Sequence, residues 1–316
     1  MALDQISAVT QNVFIPLLVD NVLKSNPLLV FLARKSVKLD GGAAIYQPVV
    51  LSKNTTATAY SGADQLPLAF DEETTSAQFN WSQYAATISV TGLDDLRNAG
   101  NPAVINLIKS KLQIAEASLR ESMGADLQGD GTGSGGKALL GLLAAVDDAG
   151  LVPTYGNISR NTYTNWRANV AANGGVGRAL SLGLMNNTFE LASKDNTRPN
   201  LGLTTHAVYT KYMSMLQPNV RYGDTKLANM GFSNLFFQDR PLVVDENVQT
   251  APTSRLWFLN TNYFELYAHS QRNFRFVPFQ QLPDKDAIVA KILWAGQLVC
   301  SSPRLQARLD DIDTTL

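Results

Sequence analysis

The chain has 316 residues, of which 45% are hydrophobic and 17% are charged. This composition suits one large or two moderate globular domains and excludes a disordered or collagen-like chain. The formal net charge of −1 provides no global basic field for gripping nucleic acid, and the single cysteine, Cys300, excludes a disulfide framework and a cysteine-based zinc site within one chain. The apolar residues around Cys300 predict a buried structural thiol.

The N-terminal region carries a helical pattern. From Leu3 to about Leu32, apolar residues recur three and four positions apart, but Pro16 and Pro27 interrupt them, which predicts short amphipathic helices. The N-terminus lacks the basic start of a signal peptide, and no apolar run approaches the roughly 20 residues needed to span a bilayer. We therefore expect a soluble protein that is made in a cytoplasm and has no membrane segment.

Residues 41–90 have the texture of strands, with alternating patches such as "AIYQPVV" and "YAATISV". Between these patches, a polar loop from about Ser52 to Ser76 is too long for a hairpin turn, and compact domains rarely keep such a loop without a use. Residues 41–80 hold four carboxylates against one lysine, a local net charge of −3. A basic run without any acid precedes them and consists of Lys24, Arg34, Lys35 and Lys38. Both patches fit a solvated surface, and together they also suit self-association.

The clearest predicted helix runs from Pro102 to about Asp126, with Asn101 as its N-cap. Such a helix is about 37 Å long. One face carries an apolar stripe formed by Val104, Ile108, Leu112, Ala115, Leu119 and Met123. We expect this stripe to be core, with Ile108, Leu112, Leu119 and Met123 at its centre, and the cations Lys109, Lys111 and Arg120 to lie largely off it.

The segment "GDGTGSGGKALLGLL", residues 129–143, matches two nucleotide-binding patterns, GxGxxG and most of a P-loop. Both motifs need a strand before the glycines and a helix after them, so that helix N-terminal amides receive the phosphate. Here the predicted helix comes first, and its C-terminus carries partial negative charge. Ala138 also replaces the Ser or Thr that would bind Mg²⁺. We interpret the segment as a helix stop followed by a turn.

No other pattern indicates an active site, and we predict no catalytic residues, no cofactor and no metal. His206 and His269 lack metal-ligand spacing, so each is interpreted as a surface or structural residue. Three pairs of adjacent carboxylates would face apart on a strand and are interpreted as caps and turns: Asp94–Asp95, Asp147–Asp148 and Asp310–Asp311. The aromatic clusters "NLFFQDR" and "NFRFVPF" are interpreted as core.

The rest of the chain mixes helical text ("LSLGLMNNTFELAS", "AVYTKYMSML") with short strands ("PLVVDE", "RLWFLN", "YFELYAH", "AIVAKILW"). The order is too irregular for a doubly wound sheet, so the sequence predicts an α+β fold.

The order of these parts resembles the major capsid proteins of tailed double-stranded-DNA bacteriophages, which have the Hong Kong phage capsid fold. "ADLQGDGTGSGGKALLGLL" resembles the turn after the spine helix of that family. "MGFSNLFFQDRPLVVDENV" followed by "RLWFLNTNYFELYAH" resembles its run from the axial domain back to the peripheral domain. The likeness covers nearly the whole chain, although each motif is loose.

The resemblance implies a division of the chain into an N-terminal arm (1–40), an extended β-loop (41–90), the spine helix with the first part of the peripheral domain (91–150), the axial domain (151–260) and the return strands of the peripheral domain (261–316). The extended loop would lie across a neighbouring subunit. Its expected contacts are Leu66, Leu68, Phe70, Asp71, Glu72 and Glu73. The opposite surface on the neighbour is either the basic run Lys24, Arg34, Lys35 and Lys38 or the helix cations Lys109, Lys111 and Arg120.

The function implied by the resemblance is an icosahedral or prolate shell, built from hexamers and pentamers of this chain around the phage DNA. Implied partners are a portal protein, a separate scaffolding protein and a decoration protein, with packaged DNA held without sequence-specific contact. The arm begins at Met1, so we expect no scaffolding region in the chain itself; either a separate scaffolding protein serves, or the arm itself directs assembly. The implied location is the virion capsid, assembled in the host bacterial cytoplasm.

Two alternatives stay open. One is another self-assembling structural protein, either an encapsulating nanocompartment shell or a tail subunit. The other is a hydrolase or nucleotide-dependent enzyme, which would require a strand before Gly129.

Overall fold

The computed structural model describes residues 27–33, 35–68, 73–93, 101–194, 196–216, 235–283 and 285–316. The helices expected before Pro27 lie outside these residues. Within them, helices and strands alternate without the regular order of a doubly wound sheet, which confirms the predicted α+β class.

The structure contains six labelled helices and sixteen strands within the described ranges. The helices are α1 (Pro27–Ala33), α2 (Asn101–Gln128), α3 (Gly133–Gly136), α4 (Leu142–Ala145), α5 (Leu182–Ala192) and α6 (His206–Met215). The strands are β1 (Val37–Leu39), β2 (Ile45–Val50), β3 (Thr74–Phe79), β4 (Ser82–Thr91), β5 (Thr154–Tyr155), β6 (Ile158–Ser159), β7 (Asn169–Ala171), β8 (Arg178–Ala179), β9 (Leu201–Thr204), β10 (Leu235–Phe237), β11 (Arg240–Val244), β12 (Ser254–Leu259), β13 (Phe264–His269), β14 (Arg275–Gln281), β15 (Ala287–Cys300) and β16 (Ala307–Asp313).

A five-stranded sheet is built around β15, which pairs with β4 on one side and with β14 and β13 on the other. The central position explains why the sequence of β15 is almost entirely apolar. Helix α2 packs on one face of this sheet, where Leu112 and Leu119 join Ile88 and Ile292 in a core cluster. The long helix and the alternating strand β4 therefore form as their sequence periods predict.

A seven-stranded sheet, in the order β10-β11-β9-β12-β16-β7 with β8 beside β16, forms the second layer. Alternation along β12 divides its side chains between two cores. Leu256 and Phe258 face α5 and α6, whereas Trp257 and Leu259 join the core under the first sheet. One core cluster therefore contains residues of both sheets, and a second core lies between the seven-stranded sheet and its helices.

Serine and threonine caps fix where the two covering helices begin. The Ser181 side chain accepts a hydrogen bond from the Leu184 amide at the start of α5. Thr205 does the same for the Val208 amide at the start of α6. Such caps satisfy amides that have no partner inside the helix. The residue next to each helix therefore determines where that helix begins.

Three segments have sheet or core partners beyond the part of the chain to which the resemblance assigns them. Strand β16 belongs to the seven-stranded sheet, and it lies in residues 261–316, which the resemblance assigns to the return strands of the peripheral domain. Strand β4, expected in the extended loop, is part of the five-stranded sheet. Tyr155 and Trp166, which the resemblance assigns to the axial domain, are buried in the core cluster that lies between the two sheets. Alternation reveals a strand and its faces, but the partner of a strand is a long-range choice that a local pattern does not contain.

Candidate assembly surface

The hairpin of β2 and β3 is tied firmly to the body of the protein at its base. Phe79 is 1% exposed and packs edge-on against Tyr155, with 5.1 Å between ring centroids. The Gln78 amide donates to the Gly156 carbonyl over 2.9 Å. A Cβ at Gly156 would lie 2.7 Å from the Phe79 ring, so this close approach requires glycine. The hairpin therefore leaves the body in a fixed position.

Beyond that base, residues 52–68 form no helix or strand. Their described hydrogen bonds include short local turns, such as the Ser61 amide donating to Asp64 Oδ2 over 2.9 Å. Three large apolar side chains are open to solvent: Tyr60 is 67% exposed, Leu66 61% and Leu68 85%. A single chain gains nothing by exposing these groups together, so the loop has the character of a surface that another molecule covers.

The structure describes some of the residues expected at this surface and not others. Leu66 and Leu68 lie in the exposed loop, and Glu73 is half-buried at the start of β3. Lys38 is exposed on β1, and Lys35 Nζ donates to Asn262 Oδ1 over 2.6 Å. Outside the described residues lie Lys24, Arg34, Phe70, Asp71 and Glu72. Among described residues, neither Lys35 nor Lys38 forms an ion pair with Glu73.

Helix α2 buries one face and leaves the other open. Leu112, Leu119 and Met123 are at most 4% exposed, whereas Ile114 is 66% exposed. The side chains of Ile108, Lys109 and Arg120 lie outside the described residues. Lys111 Nζ donates to the Ser89 carbonyl over 2.7 Å, so this cation is anchored beside β4.

The glycine-rich segment is a structural turn that follows the C-terminus of α2, as its position in the sequence predicts. Ser134 and Gly135 have φ angles of 52° and 70°, so α3 is an irregular turn. A Cβ at Gly141 would lie 2.4 Å from the Asp126 carbonyl oxygen, so residue 141 must be glycine for the chain to pass the helix end. The end of a helix offers carbonyls and not amides, which is the wrong polarity for a phosphate.

Hydrogen bonds from side chains connect this turn to β4 and β15. The Tyr84 hydroxyl donates to Asp126 Oδ2 over 2.7 Å and accepts from the Leu139 amide over 3.0 Å. Gln297 Oε1 accepts from the Leu140 amide over 2.8 Å. Burial raises the pKa of Tyr84, so its hydroxyl stays protonated as a donor.

A buried ionic cluster joins the seven-stranded sheet to the segment after α4. Arg308 Nη2 lies 3.0 Å from Asp147 Oδ1, and Arg308 Nε lies 2.9 Å from Asp310 Oδ2. Asp310 also pairs with Arg255. Asp147 additionally accepts from the Ala149, Leu151 and Val152 amides. The turn role predicted for Asp147 is therefore confirmed, but its ion pair was missed.

The cluster has one sequence signal. In "ARLDDID" an arginine and an aspartate stand two positions apart on one strand, which places Arg308 and Asp310 on one face. Asp311 has a φ of 63° and accepts instead from the Asn173 and Gly175 amides. These contacts fix loops and strands.

Other side chains that can react are structural. Cys300 is fully buried, as predicted, and burial raises the pKa of its thiol to about 12. His269 Nδ1 accepts from the Gln271 amide over 3.1 Å. In the described ranges, no group of three or more His, Cys, Asp and Glu side chains is arranged to hold a metal ion. No helix in those ranges has both the length and the apolarity to cross a membrane.

Solved structures with the same fold are shells. The capsid asymmetric unit of cyanophage A-1(L) matches with a TM-score of 0.66 and 18% identity, over 91% of this chain and 93% of that chain. The capsid of the native GTA particle matches with a TM-score of 0.60 and 13% identity, over 89% and 90% of the two chains. The chain has the phage major capsid fold.

An encapsulin also has this architecture. The holo-SrpI encapsulin complex from Synechococcus elongatus PCC 7942 matches with a TM-score of 0.55 and 11% identity, over 89% of this chain and 85% of that chain. No protein-family model matches the sequence, and a search of curated proteins finds no relative. The comparisons therefore confirm the resemblance at the level of the fold.

Proposed function

We propose that the chain is the major capsid protein of a tailed bacteriophage, a structural subunit that assembles into a closed icosahedral or prolate shell around double-stranded DNA. The observation that carries this proposal is the similarity to capsid subunits over nearly their whole length. The exposed apolar side chains of the loop supply a surface that an isolated subunit does not need.

We propose a division of the shell subunit that the two sheets support. We assign residues 1–40 to an N-terminal arm, the β2–β3 hairpin and its loop to the extended loop, and α2 to the spine helix. The five-stranded sheet is then the peripheral domain. The seven-stranded sheet with α5 and α6, including β16, is the axial domain, whose loops meet at the centres of hexamers and pentamers.

In this proposal the loop lies across a neighbouring copy. Contacts from Leu66, Leu68 and Phe70 supply most of the affinity, because burial of apolar surface is the larger favourable contribution. The acids Asp71, Glu72 and Glu73 meet basic groups such as Lys38 on the neighbour. An exposed ion pair contributes only about 0–1 kcal/mol, so charge chiefly sets register and association rate.

The proposed role is structural, without catalysis, cofactor or metal. The shell assembles in the host bacterial cytoplasm and becomes the virion capsid. Its proposed partners are further copies of the chain, a portal protein, a separate scaffolding protein, a decoration protein and DNA held through non-specific contact. The near-neutral net charge of −1 suits such a shell, since a strongly basic interior would hold the DNA being packaged.

Electron microscopy of the purified chain tests the proposal. Negatively stained preparations should contain closed shells of uniform diameter, and light scattering should give a mass far above that of the 34.3 kDa subunit. Open tubes would indicate a tail subunit. A monodisperse monomer under every condition that promotes assembly would overturn the shell function.

A second candidate is an encapsulating nanocompartment, because an encapsulin shares the fold. The two functions differ in the particle that forms in cells. A phage capsid has one vertex that receives a tail and an interior filled with DNA, whereas a nanocompartment has equivalent vertices and no genome. Particles purified from the natural host therefore distinguish them.

A further inference from the structure

The outer edge of β4 is an open row of peptide groups. The Gly92 amide donates to the Asp286 carbonyl over 2.9 Å, which identifies residues 92 and 286 as a hydrogen-bonded pair. The register of β4 with β15 runs without a shift from Thr91 to Ser82. In an antiparallel ladder such pairs recur at every second residue. Even-numbered residues of β4 therefore bond to β15, and the N–H and C=O groups of odd-numbered residues point away from the sheet.

These outward peptide groups have few partners. Among the described residues, the Ala85 and Thr87 peptide groups form no backbone hydrogen bond to another segment, while the Ser89 carbonyl accepts from Lys111 Nζ. An unpaired edge of this length is a template for pairing with another strand, and proteins usually cover or block it. Neither a proline nor a bulge blocks the edge from Gln83 to Ser89.

A groove runs along this edge between β4 and α2. It has a volume of about 630 Å³, and residues 83–89 form one wall. The opposite wall includes Lys111, Ile114, Ser118 and Ser122 of α2. Ile114, which is 66% exposed, gives that wall an apolar contact, and Lys111 gives it a positive charge. The groove thus offers backbone, apolar and charged contacts to an extended segment.

The extended loop has the complementary properties. Residues 55–60 read "TTATAY", an alternation of Thr and Ala that suits a strand, yet no strand forms there. Asp64 follows closely, and residues 41–80 have a net charge of −3. The groove is lined by two cations, Lys111 and Lys137, and by one acid, Asp126. The open backbone edge and the net positive charge of the groove therefore favour this loop as its occupant.

We propose that residues 56–60 of one copy add as a strand to the outer edge of β4 in a second copy. The inference rests on the proposed shell function and deepens it by naming the surface that receives the loop and the kind of bond that holds it. Backbone pairing fixes register, which apolar contacts from Leu66 and Leu68 alone would leave free.

Cysteine crosslinking in assembled particles tests the strand pairing. Thr87→Cys is combined with a single cysteine at each position from 55 to 61, and Cys300, which is fully buried, stays in place. Side chains alternate between the faces of a strand. Mild oxidation should therefore crosslink neighbouring subunits at every second position, with at least a fivefold difference in yield between adjacent positions. Uniform yields, or none, would overturn the proposal.

Proline at the edge gives a second test. Ala85→Pro removes an outward N–H, so the subunit should keep its melting temperature within a few degrees while assembly slows at least tenfold. Thr87→Ala, which keeps every N–H, should assemble normally. Ala86→Pro removes a hydrogen bond from β4 to β15 and should unfold the subunit. This control shows that proline substitution distinguishes the N–H groups that bond to β15 from those that point outward.

The outcomes separate the two proposals. A folded Ala85→Pro subunit that assembles at the normal rate would overturn strand addition, although its shells would support the capsid function. Blocked assembly without crosslinks to residues 55–61 would identify a different occupant and also overturn it. If Ala85→Pro fails to fold, the crosslinking pattern decides. Absence of shells from the unmodified chain would overturn the capsid function itself.

Discussion

Two regions are rich in polar groups: the buried ionic cluster around Arg308, called the junction from here on, and the loop between β2 and β3. They are held in place in opposite ways. At the junction the Arg308 side chain is 3% exposed and the Asp147 side chain 0%, and they are joined at 3.0 Å. Arg160 nearby is buried and donates to the Trp166, Val152 and Ala145 carbonyls. In the loop, Leu68 is 85% exposed and residues 57–60 have no strand partner among the described residues.

The difference separates folding from assembly. Buried charges are tolerated only when partners and hydrogen bonds surround them, so the junction must be complete within one chain. The loop has too little apolar surface of its own to be held in one conformation by burial. Under the proposed function, its exposed apolar side chains gain contacts from another molecule. Substitutions at the junction should therefore act on unfolding, and substitutions in the loop should act on assembly.

The largest effect on folding is expected in the core that both regions adjoin. Leu112→Asp places a carboxylate without a partner where Leu112 is 3% exposed. We expect a cost above about 4 kcal/mol, a large part of the stability of a domain. The soluble fraction after expression should fall close to zero. Ile114→Asp, on the exposed face of α2, is the control and should stay soluble; equal yields would contradict the assignment of the buried face.

Asp147→Ala should have the next largest effect, because it leaves Arg308 with one carboxylate fewer and three amides without an acceptor. We expect a loss of about 3 kcal/mol in the free energy of unfolding, measured by urea titration of the subunit. The neighbouring Asp148 is exposed and accepts only from the Gly150 amide. Asp148→Ala should cost less than about 1 kcal/mol. Similar losses would show that the ion pair adds no stability.

A smaller effect on the free energy of unfolding, this time a gain, is expected at Asp245. Burial raises the pKa of this carboxyl above its ordinary value of 3.8. Gln128 Nε2 donates to Asp245 Oδ2 over 3.3 Å, while Gln128 Oε1 has no hydrogen-bond partner. In Asp245→Asn, a flip of the Gln128 side-chain amide lets the new NH2 group donate to Gln128 Oε1 without a buried charge. We therefore expect a gain of about 1 kcal/mol at pH 7.

The pH dependence checks the sign. Because the folded carboxyl binds its proton more tightly than the unfolded one, stability from Asp245 is fully present below the unfolded pKa. It is lost as the pH rises through the folded pKa. The gain of the asparagine variant over the native chain should therefore grow as the pH rises from 3 to 7. A gain in stability that does not change with pH would show that the ionisation of Asp245 is not its cause.

Local pattern explains what the sequence predicts well. The stripe on α2 and the caps of α5 and α6 depend on residues within one or two turns, so they can be read directly. The strand that pairs with β16 could not be predicted in this way. The ion pair between Asp147 and Arg308 could not be predicted either, because the two residues are 161 positions apart. A sequence shows which residues have a buried face; it does not show what each face meets.

Part of the candidate assembly surface could also be predicted from a local pattern. The length and polarity of the loop after Ser52 indicate a segment that needs another molecule, and its exposed Leu66 and Leu68 agree with that. The open edge of β4 was not predictable, because it depends on which residues of β4 bond to β15. That alternation is fixed by the register of two strands far apart in the sequence.

The smallest effect on folding and a large effect on assembly are expected from the loop itself. In the double variant Leu66→Ser and Leu68→Ser, the side chains removed are 61% and 85% exposed, so the free energy of unfolding should change by less than about 0.5 kcal/mol. Each leucine that a neighbour covers contributes about 1.5–3 kcal/mol to the contact, and a shell repeats that contact at every subunit. Assembly followed by light scattering should therefore slow at least tenfold.

The control is Leu191→Ser on α5, where the leucine is 52% exposed and lies outside the loop. If the double variant assembles like this control, the loop is an ordinary solvated surface. If it instead unfolds at lower urea than the native chain, the loop contributes to folding, and the separation between the two regions is wrong.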